Sequence, residues 1–157
     1  MATRSTIALE YADGTVDQIY CHWDGYLEHN GRILLDNYTD PFKVQQLMDL
    51  GDLSSLGPNI GEKHSFEIQA KYGTPEYQAE AEAKAQVCTF YGRDRVETGT
   101  GRKRFVDFQD YLAHHQYEEY EYILREVNGK AVWFVKSYDT EVYIELTVAF
   151  KNIKEEA

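Results

Sequence analysis

The chain has little of several residue types that would mark particular protein classes. It contains two cysteines and three prolines among 157 residues, and no apolar run approaches membrane-spanning length. Cys21 and Cys88 each lie in an apolar, strand-like run, so we expect buried free thiols rather than a disulfide. Residues 1–5 lack the apolar core of a signal peptide. These features predict a cytoplasmic protein without a membrane partner.

Basic residues are also scarce. The chain has 16 lysines and arginines against 27 acidic residues, which gives a net charge of −11. A nucleic-acid binder needs cations that displace phosphate counterions, so this charge argues against direct nucleic-acid binding. It suits a basic protein partner or the imitation of a polyanion, although charge alone favours the simpler alternative of a soluble cytosolic protein without such a partner. The 13 tyrosines combine apolar area with a polar tip, which suits contact surfaces.

The pattern of apolar residues and turns predicts an α+β fold in one domain, residues 1–157. Asp13-Gly14 and Asn128-Gly129 are tight-turn signals between strand-like runs, and each predicts a β-hairpin. We expect an antiparallel sheet of these two hairpins and a short central strand. Three to four helices should pack on it in a single layer on one face. The expected helices cover residues 26–38, 41–50 and 105–115, and the central strand residues 87–91.

Other segments have weaker patterns. Residues 53–65, 73–86 and 92–104 are rich in small or polar residues and are candidates for mobile segments, although 75–86 also fits an exposed helix. Residues 66–70 fit a short strand. After Thr140 the apolar spacing fits either a helix capped by Thr140 or a strand.

The most unusual stretch is residues 20–26, Tyr-Cys-His-Trp-Asp-Gly-Tyr, where the first hairpin ends and a turn begins. The hairpin should bring it beside Arg4 and Ser5. Arg4 can pair with Asp24 or bind a phosphate or carboxylate in a bidentate manner. Trp23 or Tyr26 can stack on a planar ligand. The structural alternative is an Asp-Gly turn with a packed indole and a satisfied ion pair.

A basic, glycine-containing loop forms the second candidate feature. Residues 93–104 contain five cations with Gly99 and Gly101, whose backbone N–H groups can face an anion. The Gly-Lys-Ser/Thr of a P-loop is missing, and a solvated mobile loop is the alternative. Together with Arg4 the loop would form one anion site. The candidate ligand-binding residues are Arg4, Ser5, His22, Trp23, Asp24, Tyr26, Arg93, Arg95 and Arg102.

The sequence predicts no catalytic residue, metal site or cofactor. Cys21 and His22 are neighbours and should face opposite sides of a strand, and no Gly-x-Ser-x-Gly motif is present. The five histidines lack metal-ligand spacing. In the strand-like run 118–122, the tyrosines should face the core. The glutamates should face solvent, or alternatively a basic partner protein.

Residues 3–6, Thr-Arg-Ser-Thr, together with His22-Trp23-Asp24-Gly25-Tyr26, resemble a family of small uncharacterised proteins of bacteriophages and bacteria. Leu27 replaces the Pro of more distant members. The resemblance implies a phage or prophage origin, hence the host-cell cytoplasm, and brings no established activity. We therefore expect an accessory protein that binds and inhibits a host defence or nucleic-acid-handling factor. The alternatives are binding or cleavage of a nucleotide-like phosphorylated ligand at Arg4, Trp23 and Asp24, and a virion or structural component.

Overall fold

A mixed sheet of eight strands forms the centre of the protein. The structure, a computed structural model, describes residues 2–138, 140 and 142–156, except for the side chains of 154–156. The strands are β1 (Ser5–Glu10), β2 (Val16–Cys21), β3 (Leu53–Ser55), β4 (Thr89–Phe90), β5 (Lys103–Phe105), β6 (Tyr120–Val127), β7 (Lys130–Ser137) and β8 (Ile144–Glu145). They lie in the order β4-β3-β2-β1-β6-β7-β8, and β5 pairs with β2.

Both predicted hairpins are present. In the β1–β2 hairpin Ile7 lies opposite Ile19, and β6 and β7 pair in the same antiparallel manner. Asn128 and Gly129 have φ values of 53° and 80°, the left-handed conformations that a tight hairpin turn requires. The hairpins join through a parallel pairing of β1 with β6. The sheet is mostly antiparallel, and the predicted α+β class is confirmed.

Six α-helices lie in the described residues, where three to four were expected. A π-helical turn, Leu27–Gly31, leads into the first of them. The helices are α1 (Arg32–Asn37), α2 (Pro41–Leu50), α3 (Pro75–Ala85), α4 (Tyr91–Arg95), α5 (Phe108–His114) and α6 (Leu146–Glu156).

The helices cover both faces of the sheet rather than one. Because side chains alternate along a strand, Ile7 and Ala8 point to opposite faces. Ile7 belongs to the larger core, which includes buried residues of α1, α2 and α6. Ala8 belongs to a smaller core beneath Tyr111 of α5. The alternation of apolar residues predicts a strand but does not indicate whether helices cover one face of the sheet or both. The helix on the second face was therefore not expected.

Helix α2 shows the local signals that made it predictable. The Asp40 carboxylate accepts a hydrogen bond from the backbone N–H of Phe42 at 2.9 Å, and Pro41 occupies the first turn. Gly51 ends the helix with a φ of 88°. These three residues set both ends of the helix.

Several short elements differ from the sequence prediction. Residues 53–55 form β3 within a segment expected to be irregular, because Leu53 and Ser54 are buried beside β2. Residues 91–95 form α4 and residues 103–105 form β5, so each element overlaps one end of the expected basic loop 93–104. The strand expected at 66–70 does not form. Residues 75–85 form helix α3, in which no residue is buried.

The end of the described chain combines both alternatives, since β8 is followed directly by α6. Thr140 does not cap that helix. Its hydroxyl bonds instead to the backbone of Ser137, at the end of β7. Asp139 and Glu141, which flank Thr140, lie outside the described residues.

Glu121 corrects the prediction for residues 118–122. The tyrosine and glutamate faces are opposed as expected, but Glu121 is only 1% exposed because α5 and its flanking residues cover that face. Within the described part of the chain, no helix combines the length and the apolar character needed to cross a membrane.

Candidate functional site

The first two residues after β2 still form backbone hydrogen bonds with the neighbouring strand β3. The backbone N–H groups of His22 and Trp23 donate to the carbonyls of Leu53 and Ser54, both at 3.0 Å. Asp24 then adopts a left-handed conformation with a φ of 58°, which an Asp tolerates better than most residues. The chain therefore turns sharply at the place that the Asp-Gly pair predicts.

The start of the chain packs directly on this turn, as the hairpin geometry predicts. The Gly25 N–H donates to the Thr3 carbonyl at 2.8 Å. A Cβ atom at position 25 would lie 2.6 Å from the Ser5 Cβ, so only glycine fits there without a shift. From the other side, the Tyr122 hydroxyl donates to the Gly25 carbonyl at 2.6 Å.

Asn30, which the sequence did not single out, fixes the turn from inside. It is fully buried, and its side-chain amide donates to the Trp23 carbonyl and to the Ser5 hydroxyl, both at 3.3 Å. Its backbone N–H donates to the Asp24 carbonyl at 3.2 Å. No local pattern marks such an asparagine, because three of its partners lie 6 to 25 residues away in the sequence.

Five side chains around the turn form a surface that we call the turn patch: Arg4, Tyr20, His22, Trp23 and Tyr26. The Tyr20 hydroxyl and His22 Nδ1 lie 2.7 Å apart. The Trp23 ring meets the His22 ring edge-on, with centroids 4.8 Å apart. Trp23 is 44% exposed and Tyr26 is 37% exposed. The patch thus presents large aromatic area to solvent on a backbone held by buried hydrogen bonds.

Arg4 is exposed and contributes a positive charge beside Tyr20. Burial raises the pKa of Tyr20, and the Arg4 charge opposes that rise. In the described part of the chain, Arg4 and Asp24 form no ion pair with each other, although the sequence allowed one. Ser5 is completely buried, so it supports the turn and does not reach the surface.

The three predicted arginines of the basic loop are engaged elsewhere. Arg93 forms an ion pair with the buried Asp94 at 3.0 Å and donates to backbone carbonyls. Arg95 pairs with Glu97, and Arg102 pairs with Asp49 and Asp17. None of these partners belongs to residues 22–26. The structure therefore brings Arg4, Ser5, His22, Trp23, Asp24 and Tyr26 together and directs the other three arginines to other carboxylates.

Neither cysteine is suited to act as a nucleophile. Both are free and buried, and burial raises the pKa of Cys21 to about 12. The thiolate is the reactive form of cysteine, and this shift keeps it scarce at neutral pH. Within the described residues, no three His, Cys, Asp or Glu side chains are grouped as metal ligands would be.

Comparison of the chain with protein-family models, curated proteins and solved structures finds no match.

Proposed function

We propose that this protein acts by binding a basic partner protein through the turn patch, in the cytoplasm and without catalysis. The observation that carries this proposal is the pair of exposed rings, Trp23 and Tyr26, on a turn fixed by Gly25 and Asn30. Aromatic residues dominate the energetics of protein interfaces, and a rigid backbone lowers the entropic cost of binding.

Two carboxylates beside the patch, against the single cation Arg4 within it, support a basic partner. Asp24 lies in the turn, and the exposed Glu28 follows Tyr26 by two residues. Among the described residues neither carboxylate forms an ion pair. Arginine or lysine side chains of a partner can pair with these carboxylates and lie over the Trp23 or Tyr26 ring.

Charges elsewhere in the molecule also favour a cationic partner. Arg93, Arg102 and Arg104 are paired with carboxylates of the chain itself, so they neutralise acidic groups rather than offer a cationic surface. The engagement of these arginines also gives no support to a phosphate site at the turn. With a net charge of −11, long-range attraction favours a cationic partner and speeds its association.

The resemblance to small phage proteins suggests the source of the partner. We propose a host factor, of a defence or nucleic-acid-handling kind, whose basic surface the chain covers and blocks. A protein that normally binds a polyanion would present such a surface.

Affinity purification of the tagged chain from host cells tests the proposal. We expect one basic host protein in near-stoichiometric yield, and we expect it to be lost from the Trp23→Ala variant. Tyr72→Ala is the matched control, because Tyr72 is an exposed aromatic residue outside the turn patch. Recovery of no host protein, or equal recovery with both variants, would contradict the proposal.

A further inference from the structure

A groove beside α5 has the dimensions of a small-molecule site. It has a volume of about 420 Å³ and lies between α5, β6, β7 and residues 142–143. Pockets for small ligands typically have volumes from about 300 to 1,000 Å³ and combine an apolar lining with a few polar groups. The apolar lining comes chiefly from Phe108, Leu112, Tyr117, Ile123 and Phe134.

A buried polar cluster lies against this groove, centred on Glu121. One carboxylate oxygen, Oε1, lies 2.5 Å from His115 Nε2 and accepts a hydrogen bond from the Tyr143 hydroxyl at 2.7 Å. Burial is the main cause that raises the pKa of Tyr143, so Tyr143 remains a donor. The Tyr111 hydroxyl lies 3.1 Å from that of Tyr143 and extends the chain of bonds.

The hydrogen bonds define the charge of the His115–Glu121 pair. His115 Nδ1 lies 2.8 Å from the Tyr111 carbonyl, which can only accept, so Nδ1 carries a proton. At 2.5 Å, Nε2 and Oε1 must also hold a proton between them, because two lone pairs would repel at that distance. Whichever atom holds that proton, the histidine and the carboxylate together are neutral.

Lys136 therefore contributes a positive charge that the pair does not cancel. Its ammonium lies 3.9 Å from Glu121 Oε2, beyond hydrogen-bond distance, and its side chain lines the groove. Arg125 is the other cation of the lining, and it is neutralised by Glu10 through two 3.2 Å hydrogen bonds. The groove thus has a net charge of about +1 by this count of groups, in a protein of net charge −11.

We propose that this groove binds a small organic monoanion with a flat apolar body, such as an aryl carboxylate. The Lys136 ammonium would pair with the carboxylate, and the aromatic rings of Tyr117 and Phe134 would contact the body. One face of the Phe108 ring is already covered by the Arg125 guanidinium, 3.7 Å from the ring centroid. The centroids of the Tyr117 and His115 rings lie 4.3 Å apart, and Tyr117 is exposed at the rim of the groove. This inference does not depend on the proposed function of the turn patch, which none of these residues forms.

The test compares naphthalene-2-carboxylate with its neutral analogue naphthalene-2-carboxamide in titration calorimetry at neutral pH. The carboxylate should bind about tenfold more tightly, as a charge-assisted hydrogen bond implies. Lys136→Gln should bring the two affinities close together. Lys130→Gln is the matched control, since Lys130 is exposed at the other end of β7.

A second pair of variants tests the location without disturbing the core. Val142 lines the groove and is 63% exposed, so it tolerates a charged side chain. Val142→Glu should weaken binding of the carboxylate, whereas Val142→Lys should retain or strengthen it. The proposal is overturned if neither compound binds, if both bind equally, or if Lys136→Gln and Val142→Glu leave the preference unchanged.

Discussion

Gly25 shows how one residue joins the start of the chain to the turn patch. Replacing it with alanine would push a Cβ atom to 2.6 Å from Ser5 Cβ and 2.9 Å from the Thr3 carbonyl. Overpacking of this kind costs about 2 kcal/mol. We therefore expect Gly25→Ala to lower the free energy of unfolding, measured by urea denaturation, by about that amount.

Gly101→Ala is the control for this substitution. No atom lies within 4 Å of the Cβ position at Gly101, and its backbone is not in the left-handed region. An equal effect of the two substitutions would show that Gly25 matters only through backbone entropy and not through its contact with Ser5.

Asp17 is a second residue whose surroundings control stability. Its side chain is fully buried and accepts hydrogen bonds from Arg104 at 2.7 Å and from Tyr11 at 2.5 Å. Burial alone would raise the pKa of Asp17, but these partners together hold it below its ordinary value of 3.8. The Arg104 side chain is 56% exposed, so the Asp17→Asn substitution leaves no buried charge unpaired. The loss is that of hydrogen bonds to a charged group, which costs about 2 kcal/mol. We expect Asp17→Asn to destabilise the protein by about that amount at neutral pH.

The direction of the pKa shift sets the pH dependence of this effect. Because the folded pKa is lower than the unfolded one, the stabilising contribution of Asp17 is complete above the unfolded value and is lost as the pH falls through the folded value. The difference in unfolding free energy between wild type and Asp17→Asn should therefore shrink below a pH of about 4. Urea denaturation over a series of pH values measures it, and a difference that grows on acidification would contradict this assignment.

The sequence predicted the residues of the turn patch better than it predicted the contacts that hold the backbone and the arginines in place. His22, Trp23 and Tyr26 were identified because an aromatic cluster at an Asp-Gly turn is visible in a few consecutive letters. Arg93 was predicted as a ligand-binding cation, and in the structure it pairs with Asp94 and donates to backbone carbonyls. Two of its backbone acceptors, the carbonyls of Ile60 and Gly61, lie more than 30 residues away, and no local pattern reveals such contacts.

Among the elements, α3 differs most from the sheet. None of its residues is buried, and polar contacts join it to residues 65–70. The Glu80 carboxylate accepts hydrogen bonds from the backbone N–H groups of Gln69 and Ala70, at 2.6 and 3.2 Å. Lys84 donates to the Ser65 and Phe66 carbonyls.

Few buried contacts imply a low free energy of local opening. In native-state hydrogen exchange, the amides of α3 should exchange much faster than those of β6, whose residues 121–124 are buried. Glu80→Gln should accelerate exchange in α3 and leave β6 unchanged. Equal protection of α3 and β6 in the wild type would show that α3 is supported by contacts stronger than these polar ones.

The difference between signals in adjacent residues and contacts between distant residues explains which elements the sequence predicted. Both hairpins and α2 carry their signals in adjacent residues, such as Asn128-Gly129 and Asp40-Pro41. The parallel pairing of β1 with β6 joins residues more than 100 positions apart, and β3 and β5 are three residues long. Elements of that length depend on their neighbours for stability, so propensity alone does not indicate them.

The molecule as a whole presents two surfaces, the turn patch and the groove, which differ in charge and shape. The turn patch presents aromatic rings beside Asp24 and Glu28, which suits a cationic partner. The groove under α5 holds the charge of Lys136 and suits a small anion. The overall charge of −11 was readable from composition, but the location of each cation required the folded structure, because most arginines pair within the chain.

Site-specific photo-crosslinking in cells of the proposed host is the decisive test of whether the turn patch binds a partner. The photoreactive residue p-benzoylphenylalanine would replace Tyr26 in one variant and Tyr72, which is 83% exposed and outside the patch, in the other. We predict one discrete crosslinked species with a basic host protein from position 26 and none from position 72. The absence of a crosslink from position 26, or the same species from both positions, would rule out specific binding through the turn patch.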